Sequence, residues 1–392
     1  MISPRRPLWQ GVLAASIAAS LAACSGDDDD GPAPVEECKA AWVYIGPVGD
    51  RGWSYQHNEG RLDVEAANLP NVNAKTFNEN TSEEQLGSVI QRFMDDGVKI
   101  VFSTSLDWRP ELKAAADANP GRYFEQCAGG TPSSTNYSNY NVRDYQAAYL
   151  GGLVAGAYAA ERGHKVGITS SVPIEAVVHS LVAFGLGVRA ADPVAEIHLQ
   201  WTCNFLLPQR ERCAVAKQID EKGVDVIYMN SDVTDSIDVA REKGIKAISY
   251  HSDVLSFFPD TILTGVTFTW GDYYRQRVQA ACDGSWASGN YFGGFKERNV
   301  ALGRYGQGVP EGIKAVVTER QRQMEAGEWD VFTGPIRAQD GTLLVPNGKR
   351  LSDAELRTFT TLTEGFVGTV PNLADCDGGA SDAAAVCREI QQ

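Results

Sequence analysis

A chain of 392 residues is longer than one ordinary domain and predicts two. With 43% hydrophobic and 22% charged residues, it has the composition of a packed globular protein. Its formal net charge of −15, with no basic run longer than Arg5-Arg6, excludes nucleic acid as a natural partner, because backbone phosphates demand clustered Lys and Arg.

At the start of the chain, Arg5 and Arg6 precede an apolar stretch from Leu8 to Ala23, too short for a membrane span. The stretch ends in Leu21-Ala22-Ala23-Cys24, which resembles a bacterial lipobox. Residues 1–23 are therefore expected to be a lipoprotein signal peptide, with Cys24 the lipidated residue. Residues 24–37 contain "SGDDDDGPAPVEE", a polar tether with nothing to bury. No other apolar run is long enough to span a membrane. The expected location is outside the cytoplasm, lipid-anchored to a bacterial membrane on its periplasmic or cell-surface face.

Strand and helix patterns then alternate. "AAWVYIG", "KIVFSTS", "RYFEQCAG", "KVGITSS", "EIHLQWT", "VDVIYMNS" and "IKAISYHS" are β-branched or aromatic runs bounded by polar or turn residues. Amphipathic segments lie between them, among them "SEEQLGSVIQRFMDDG", "RPELKAAADANPG", "DYQAAYLGGLVAGAYAAERG", "EAVVHSLVAFGLGVRAAD" and "QRERCAVAKQIDEKG". "TSEE" has capping-box spacing, with Thr81 or Ser82 as the cap. Repeated βα units predict an α/β fold of parallel sheets covered by helices on both faces. A polar stretch, "TPSSTNYSNYNVRD", divides two similar halves, and "TILTGVTFTW" is expected to cross back between them. The expected boundaries are 38–142 plus about 264–300 for the first lobe and 143–263 plus about 301–372 for the second, with residues 373–392 as a C-terminal tail.

Eight cysteines fit an oxidising compartment. Spacing favours Cys203–Cys213 and Cys376–Cys387, each closing a loop of about ten residues, and leaves Cys38, Cys127 and Cys282 unassigned. No CxxC occurs, so no metal or other cofactor is expected.

Ligands of open parallel sheets lie beyond the carboxyl ends of the strands. The residues there are Gly46 to Trp53, Ser103 to Trp108, Ser170-Ser171, Trp201 to Phe205, Asn230 to Asp232 and His251 to Asp253. This set, rich in aromatics and short polar side chains, suits a flat heterocycle with polar edges. Gly46, Gly49 and Gly52 in "GPVGDRGW" do not form a phosphate cradle: the spacing is GxxGxxG, no Lys-Ser/Thr follows, and Asp50 has the wrong sign. Catalysis is not expected. There is no HExxH and no GxSxG, and adjacent strand residues His251-Ser252-Asp253 point to alternate faces. Asp50 and Asp253 are the carboxylate pair that a nucleoside hydrolase would need.

"YIGPVGDRGWSYQHNEGR", "NYNVRDYQAAYLGGLVAG", "KVGITSSVPIEAVVHSLVAFGLGVRAADP", "YHSD", "LTGVTFTWGDYY" and "FTGPIRAQDG" occur in an order that resembles the basic membrane protein family. These are substrate-binding lipoproteins of ABC transporters that include purine nucleoside receptors. The resemblance implies a type I periplasmic-binding fold, two doubly wound lobes joined by crossing strands, presenting ligand to a transporter permease. It implies ligand-binding roles for Asp50 and Asp253 and base-stacking roles for Trp53 and Phe205, with Trp201 as the substitute for Phe205. Ser103 and Ser105 match a polar loop, Trp108 a cleft wall, and Asp232 a strand-end acid; Tyr250 and Trp270 lie in the matching "YHSD" and "FTWGDYY". For Asp50, Asp232 and Asp253 a turn or capping role is the alternative, for Ser103 and Ser105 helix capping, and for Trp53 and Trp108 core packing. Phe268 stands where nucleoside-binding relatives carry a lysine, which turns the expected ligand from a nucleoside towards a free purine base such as adenine. A receptor for a sugar or another small solute such as an amino acid, on the same fold, is the alternative.

Overall fold

The computed structural model describes residues 37–128, 134–376 and Cys387. The expected signal peptide and Cys24 lie outside the described residues.

The first sheet is built from β1 (Cys38–Val43), β2 (Val72–Asn78), β3 (Val98–Ser103), β4 (Tyr123–Cys127) and β5 (Tyr137–Val142), all parallel. Helices α1 (Trp53–Ala66), α2 (Glu83–Asp95) and α3 (Arg109–Ala118) connect them. Alternation along the strands divides the core between two faces. Ala40, Trp42, Ile100 and Phe102 join one cluster, while Ala41, Val43, Val98 and Val101 join another with Leu86, Phe93 and Leu112. Of the two caps that "TSEE" offers, Ser82 closes the capping box of α2, with Gln85.

The chain leaves this sheet at Arg143 and begins α4 (Asp144–Ala160). A second parallel sheet follows, with β6 (Lys165–Ser170), α5 (Glu175–Ala191), β7 (Glu196–Trp201), α6 (Pro208–Lys217), β8 (Val226–Asn230), α7 (Asp235–Glu242), β9 (Lys246–His251) and β10 (Ile262–Phe268). Its helices α4 and α5 touch backbone to backbone. A Cβ at Gly152 would lie 2.0 Å from the Phe184 carbonyl oxygen, and one at Gly187 2.1 Å from that of Tyr149. The glycines of "LGGLVAG" and "GLGV" are therefore packing residues.

After β10 the chain returns to the first sheet, where α8 (Gly271–Asp283) packs on α1 and β11 (Asn290–Gly293) adds beside β5. It crosses once more to β12 (Val300–Leu302), antiparallel to β10, and to α9 (Glu311–Glu325) against α4. The sequence places the return at about 264, inside β10, whereas β10 pairs with β9 as far as Thr267 and the exchange comes after Phe268. The remaining chain forms the hairpin β13 (Ile336–Arg337) and β14 (Leu343–Val345), the short α10 (Asp353–Leu356), and β15 (Phe366–Val367) alongside β7. The sheet orders are β11-β5-β4-β3-β1-β2 and β12-β10-β9-β8-β6-β7-β15.

The disulfides correct the pairing expected from spacing. Cys38 bonds Cys282, Cys203 bonds Cys376, and Cys213 bonds Cys387, while Cys127 is a buried free thiol. The cause is topological. Because β15 pairs with β7, the following residues run beside the end of β7, and Cys376 meets Cys203. Near neighbours in sequence are thus outcompeted by a segment that returns from more than 170 residues away.

Candidate functional site

The carboxyl ends of both sheets face one another across the three crossings, and the loop 46–53 lies between them. Asp50 organises that loop. Its Oδ1 accepts the Gly52 and Tyr55 N–H groups at 2.8 and 2.9 Å, and its Oδ2 accepts that of Ser54 at 2.9 Å. Burial pushes its pKa up; the three N–H groups oppose this, and nearby Asp232 adds to it. Of its two readings, the structure builds the turn and helix-start role.

Trp53 begins α1, and its Nε1 donates to the Thr104 carbonyl at 2.8 Å. Around its ring stand His57 at 4.3 Å, His251 at 5.1 Å, Phe268 at 6.0 Å and Trp270 at 6.2 Å between centroids, all edge-on. His57 in turn stacks on Trp270 at 4.5 Å and 12°. The first lobe contributes Trp53 and His57, one helical turn apart on a shared face. The second lobe contributes His251 and Phe268, and Trp270 stands at the crossing into α8.

Five buried polar atoms at these strand ends and rings have no protein partner: His57 Nε2, Ser103 Oγ, Asn230 Nδ2, His251 Nδ1 and Trp270 Nε1. An orphaned buried polar group is costly, and these are groups that a polar partner in the cleft would satisfy. Burial, aided by His251, holds the His57 pKa well below its usual range, so the imidazole is neutral and can accept as well as donate. Its Nδ1 lies 2.5 Å from the Tyr274 hydroxyl.

The other residues singled out from sequence divide. Asp232 pairs with His251 (Oδ1 to Nε2, 2.9 Å), and its N–H donates to the Phe205 carbonyl at 3.2 Å, which brings Phe205 to the lip of the second lobe. Tyr250 lies beneath His251 with ring centroids 4.0 Å apart, its hydroxyl donating to Asp144 Oδ2 at 2.6 Å. Ser105 is buried and begins the turn into α3; its carbonyl accepts from Gln126. Trp108 belongs to the core beneath α2 and α3 with Leu112 and Ala116, which overturns its assignment as a cleft wall: the short 3₁₀ turn before Pro110 carries the ring under the sheet. Asp253 is engaged by Arg304, whose Nε lies 2.7 Å from Oδ2. Although burial pushes its carboxyl upward, Arg304 and the Leu255 and Arg304 N–H groups hold it below its ordinary value. The structure thus places Asp253 in an ion pair beside the crossing to β12. Trp201 donates to the Thr369 carbonyl at 2.9 Å, so the C-terminal segment, not the cleft, takes its ring edge.

The lobes meet at this site. A Cβ at Gly52 would lie 2.1 Å from the Asp232 carbonyl oxygen, and Ser252 Oγ donates to the Arg51 carbonyl. Gln56 Nε2 donates to the Phe268 carbonyl at 2.5 Å, and the Arg51 guanidinium sits 4.6 Å above the Phe257 ring. His57 is the ring of this group that the sequence reading missed, and the helical i, i+4 spacing from Trp53 was the available signal for it. His251 was legible as a residue at a strand end, and its φ of 69° turns it out of β9 towards Trp53.

Behind the lip, Glu211 of α6 is buried and accepts from the Ser236 hydroxyl. Burial raises its pKa from 4.5 to about 7, against the opposing Ser236, Ser231 and Thr202 hydroxyls. An acid with a raised folded pKa contributes stability that is complete below its unfolded value and is lost as pH rises through the folded one. Stability attributable to Glu211 should thus fall between pH 4.5 and about 7, by up to about 3 kcal/mol. Urea unfolding at pH 4 to 8 should show a flatter pH slope for Glu211→Gln than for the wild type; parallel slopes would contradict this.

Two lobes built on parallel sheets that meet at their strand ends define the type I periplasmic-binding fold. The chain belongs to the Bmp family, "ABC transporter substrate-binding protein PnrA-like", whose family model matches residues 38–327. It is 35% identical to a purine-binding protein of Brucella abortus over 82% of this chain and 90% of that one. It is 27% identical to a putative ABC transporter glucose-binding protein of Haloferax volcanii, over 78% of this chain and 77% of the relative. In fold it is similar to a solute-binding protein of an ABC transporter system from Aeropyrum pernix, with a TM-score of 0.64 and 16% identity over 74% of this chain and 92% of that one. Among the described residues, no group of three or more His, Cys, Asp or Glu is placed to hold a metal, and no helix is long and apolar enough to cross a membrane.

Proposed function

We propose that the cleft captures a free purine base, adenine-like, and that the closed protein delivers it to a membrane permease while tethered by lipid at Cys24. The observation that carries this reading is the ring of Trp53, His57, His251, Phe268 and Trp270 with its unpartnered ring nitrogens. Ring faces and edges bind a planar heterocycle, and the free nitrogens, with Ser103 Oγ and Asn230 Nδ2, meet its edge donors and acceptors. Asp232, fixed by His251, places an acid at this wall. Phe268 offers an apolar surface where a ribose would need a polar partner, which favours the base over the nucleoside. The purine-binding relative at 35% identity supports the same class of ligand.

No chemistry on the ligand is required. Binding energy from both lobes favours the closed form, and the ligand shifts the population towards it. Trp53→Ala should weaken adenine binding by about 1–3 kcal/mol in calorimetric titration. Unchanged affinity would reduce Trp53 to a packing residue. The glucose-binding relative supplies the competing reading, in which the aromatic faces stack on a sugar.

A further inference from the structure

We propose that the C-terminal strap, through the Cys203–Cys376 disulfide, positions the second-lobe lip on which ligand closure depends. After β15 pairs with β7, the strap is held by a series of contacts. Gln339 Nε2 donates to the Phe366 and Gly368 carbonyls, each at 3.0 Å, and Trp201 Nε1 donates to the Thr369 carbonyl at 2.9 Å. Cys376 then closes on Cys203, two residues beyond the end of β7, with Cα atoms 4.9 Å apart.

From Cys203 the influence runs directly to the cleft. The Cys203 N–H donates to the Ser171 carbonyl at 2.9 Å, and Arg210 of α6 reaches back to the Thr202 carbonyl at 2.8 Å. The Phe205 carbonyl accepts the Asp232 N–H, Asp232 holds His251, and the Asp232 carbonyl meets Gly52 of the opposite lobe. A second disulfide, Cys213–Cys387, leaves from α6 just beyond the lip. Residues 203–213 are thus cross-linked at both ends to the C-terminal segment. A cross-link restricts the conformations open to a loop, and a lip ordered in advance needs less ordering when ligand arrives. Cys203 and Cys376 are positioning residues, acting through Phe205 and Asp232.

The inference uses the purine reading for its probe, so the test has a ligand-free arm. In the full-length protein, Cys203→Ser/Cys376→Ser should lose about 10-fold in adenine affinity, mainly through faster dissociation. In hydrogen exchange without ligand, the amides of residues 202–206 and Asp232 should exchange faster than in the wild type. Cys38→Ser/Cys282→Ser, which removes the first-lobe disulfide, should lower the unfolding temperature yet leave the adenine dissociation rate unchanged. Trp201→Phe, which keeps the disulfide but deletes the bond to Thr369 along with part of the ring, should shift exchange in the same direction and decides the matter if the cysteine variant does not fold. Unchanged lip exchange and unchanged adenine dissociation in a folded variant would overturn the proposal. If the wild type binds no adenine, the purine reading falls, and lip exchange alone still decides the role of the strap.

Discussion

Gly52→Ala is expected to weaken adenine binding by about 100-fold, or about 2–3 kcal/mol. The reason is a backbone-to-backbone contact between lobes. A Cβ at Gly52 would stand 2.1 Å from the Asp232 carbonyl oxygen and 2.9 Å from its carbon. Neither side is a flexible side chain that can swing away, so the lobes must separate to relieve the clash. A separation there also loosens the Ser252–Arg51 and Gln56–Phe268 bonds and moves His251 off Trp53. All of these hold the two lobes together, so the variant loses the arrangement in which a ligand would touch both lobes. Lobes moved apart would be free of the clash, and the unfolding temperature without ligand should change little by comparison. Equal adenine affinities for Gly52→Ala and the wild type would show that closure does not bring these backbones together.

Arg277→Ala should destabilise the protein by about 3–5 kcal/mol, the cost typical of removing one partner from a buried ion pair. Its partner, Glu125 in the centre of β4, is fully buried. The carboxylate accepts from Arg277 Nε at 2.5 Å, from Trp286 Nε1 at 2.7 Å and from the Tyr273 hydroxyl at 2.8 Å. Burial raises the Glu125 pKa while Arg277, Tyr273 and Trp286 oppose the rise. Without Arg277 the balance moves further towards the protonated acid, so the loss should grow as pH rises from acidic to neutral. Urea unfolding of Arg277→Ala at pH 5 and pH 8 checks both the size and the sign. Arg277→Ala/Glu125→Gln, with no uncompensated charge, should recover part of the loss at pH 8. The cluster ties α8 to β4, so it supports the helix that begins at Trp270.

Much of the architecture was legible because it depends on local periodicity. Strand runs such as "AAWVYIG" and "VDVIYMNS" carry both faces of a buried parallel sheet, and the glycine-ended amphipathic runs between them are its helices. The loops after the strands were legible for the same reason, and they led to Trp53, Asp232 and His251, while Trp270 came through the resemblance carried by "FTWGDYY". What escaped depends on which distant segments meet. Asp253 looks like an open cleft acid until Arg304 arrives just beyond the returning strand β12, and Trp201 looks like a stacking ring until Thr369 caps it. The disulfides follow the same rule, since β15 docks on β7 only after the third crossing. Asp50 illustrates a different limit: its carboxylate chemistry was clear, but only the loop's curvature decides that it serves the start of α1. Trp108 is governed by whether its turn sends the ring above or beneath the sheet, which composition does not encode.

The central claim is that the closed cleft recognises a free purine base through its aromatic faces and unpartnered ring nitrogens. Parallel calorimetric titrations of the purified protein with adenine, adenosine and glucose test it most directly. The account predicts saturable one-site binding of adenine, weaker binding of adenosine, and no heat from glucose. Saturable binding of glucose with no response to either purine would contradict it.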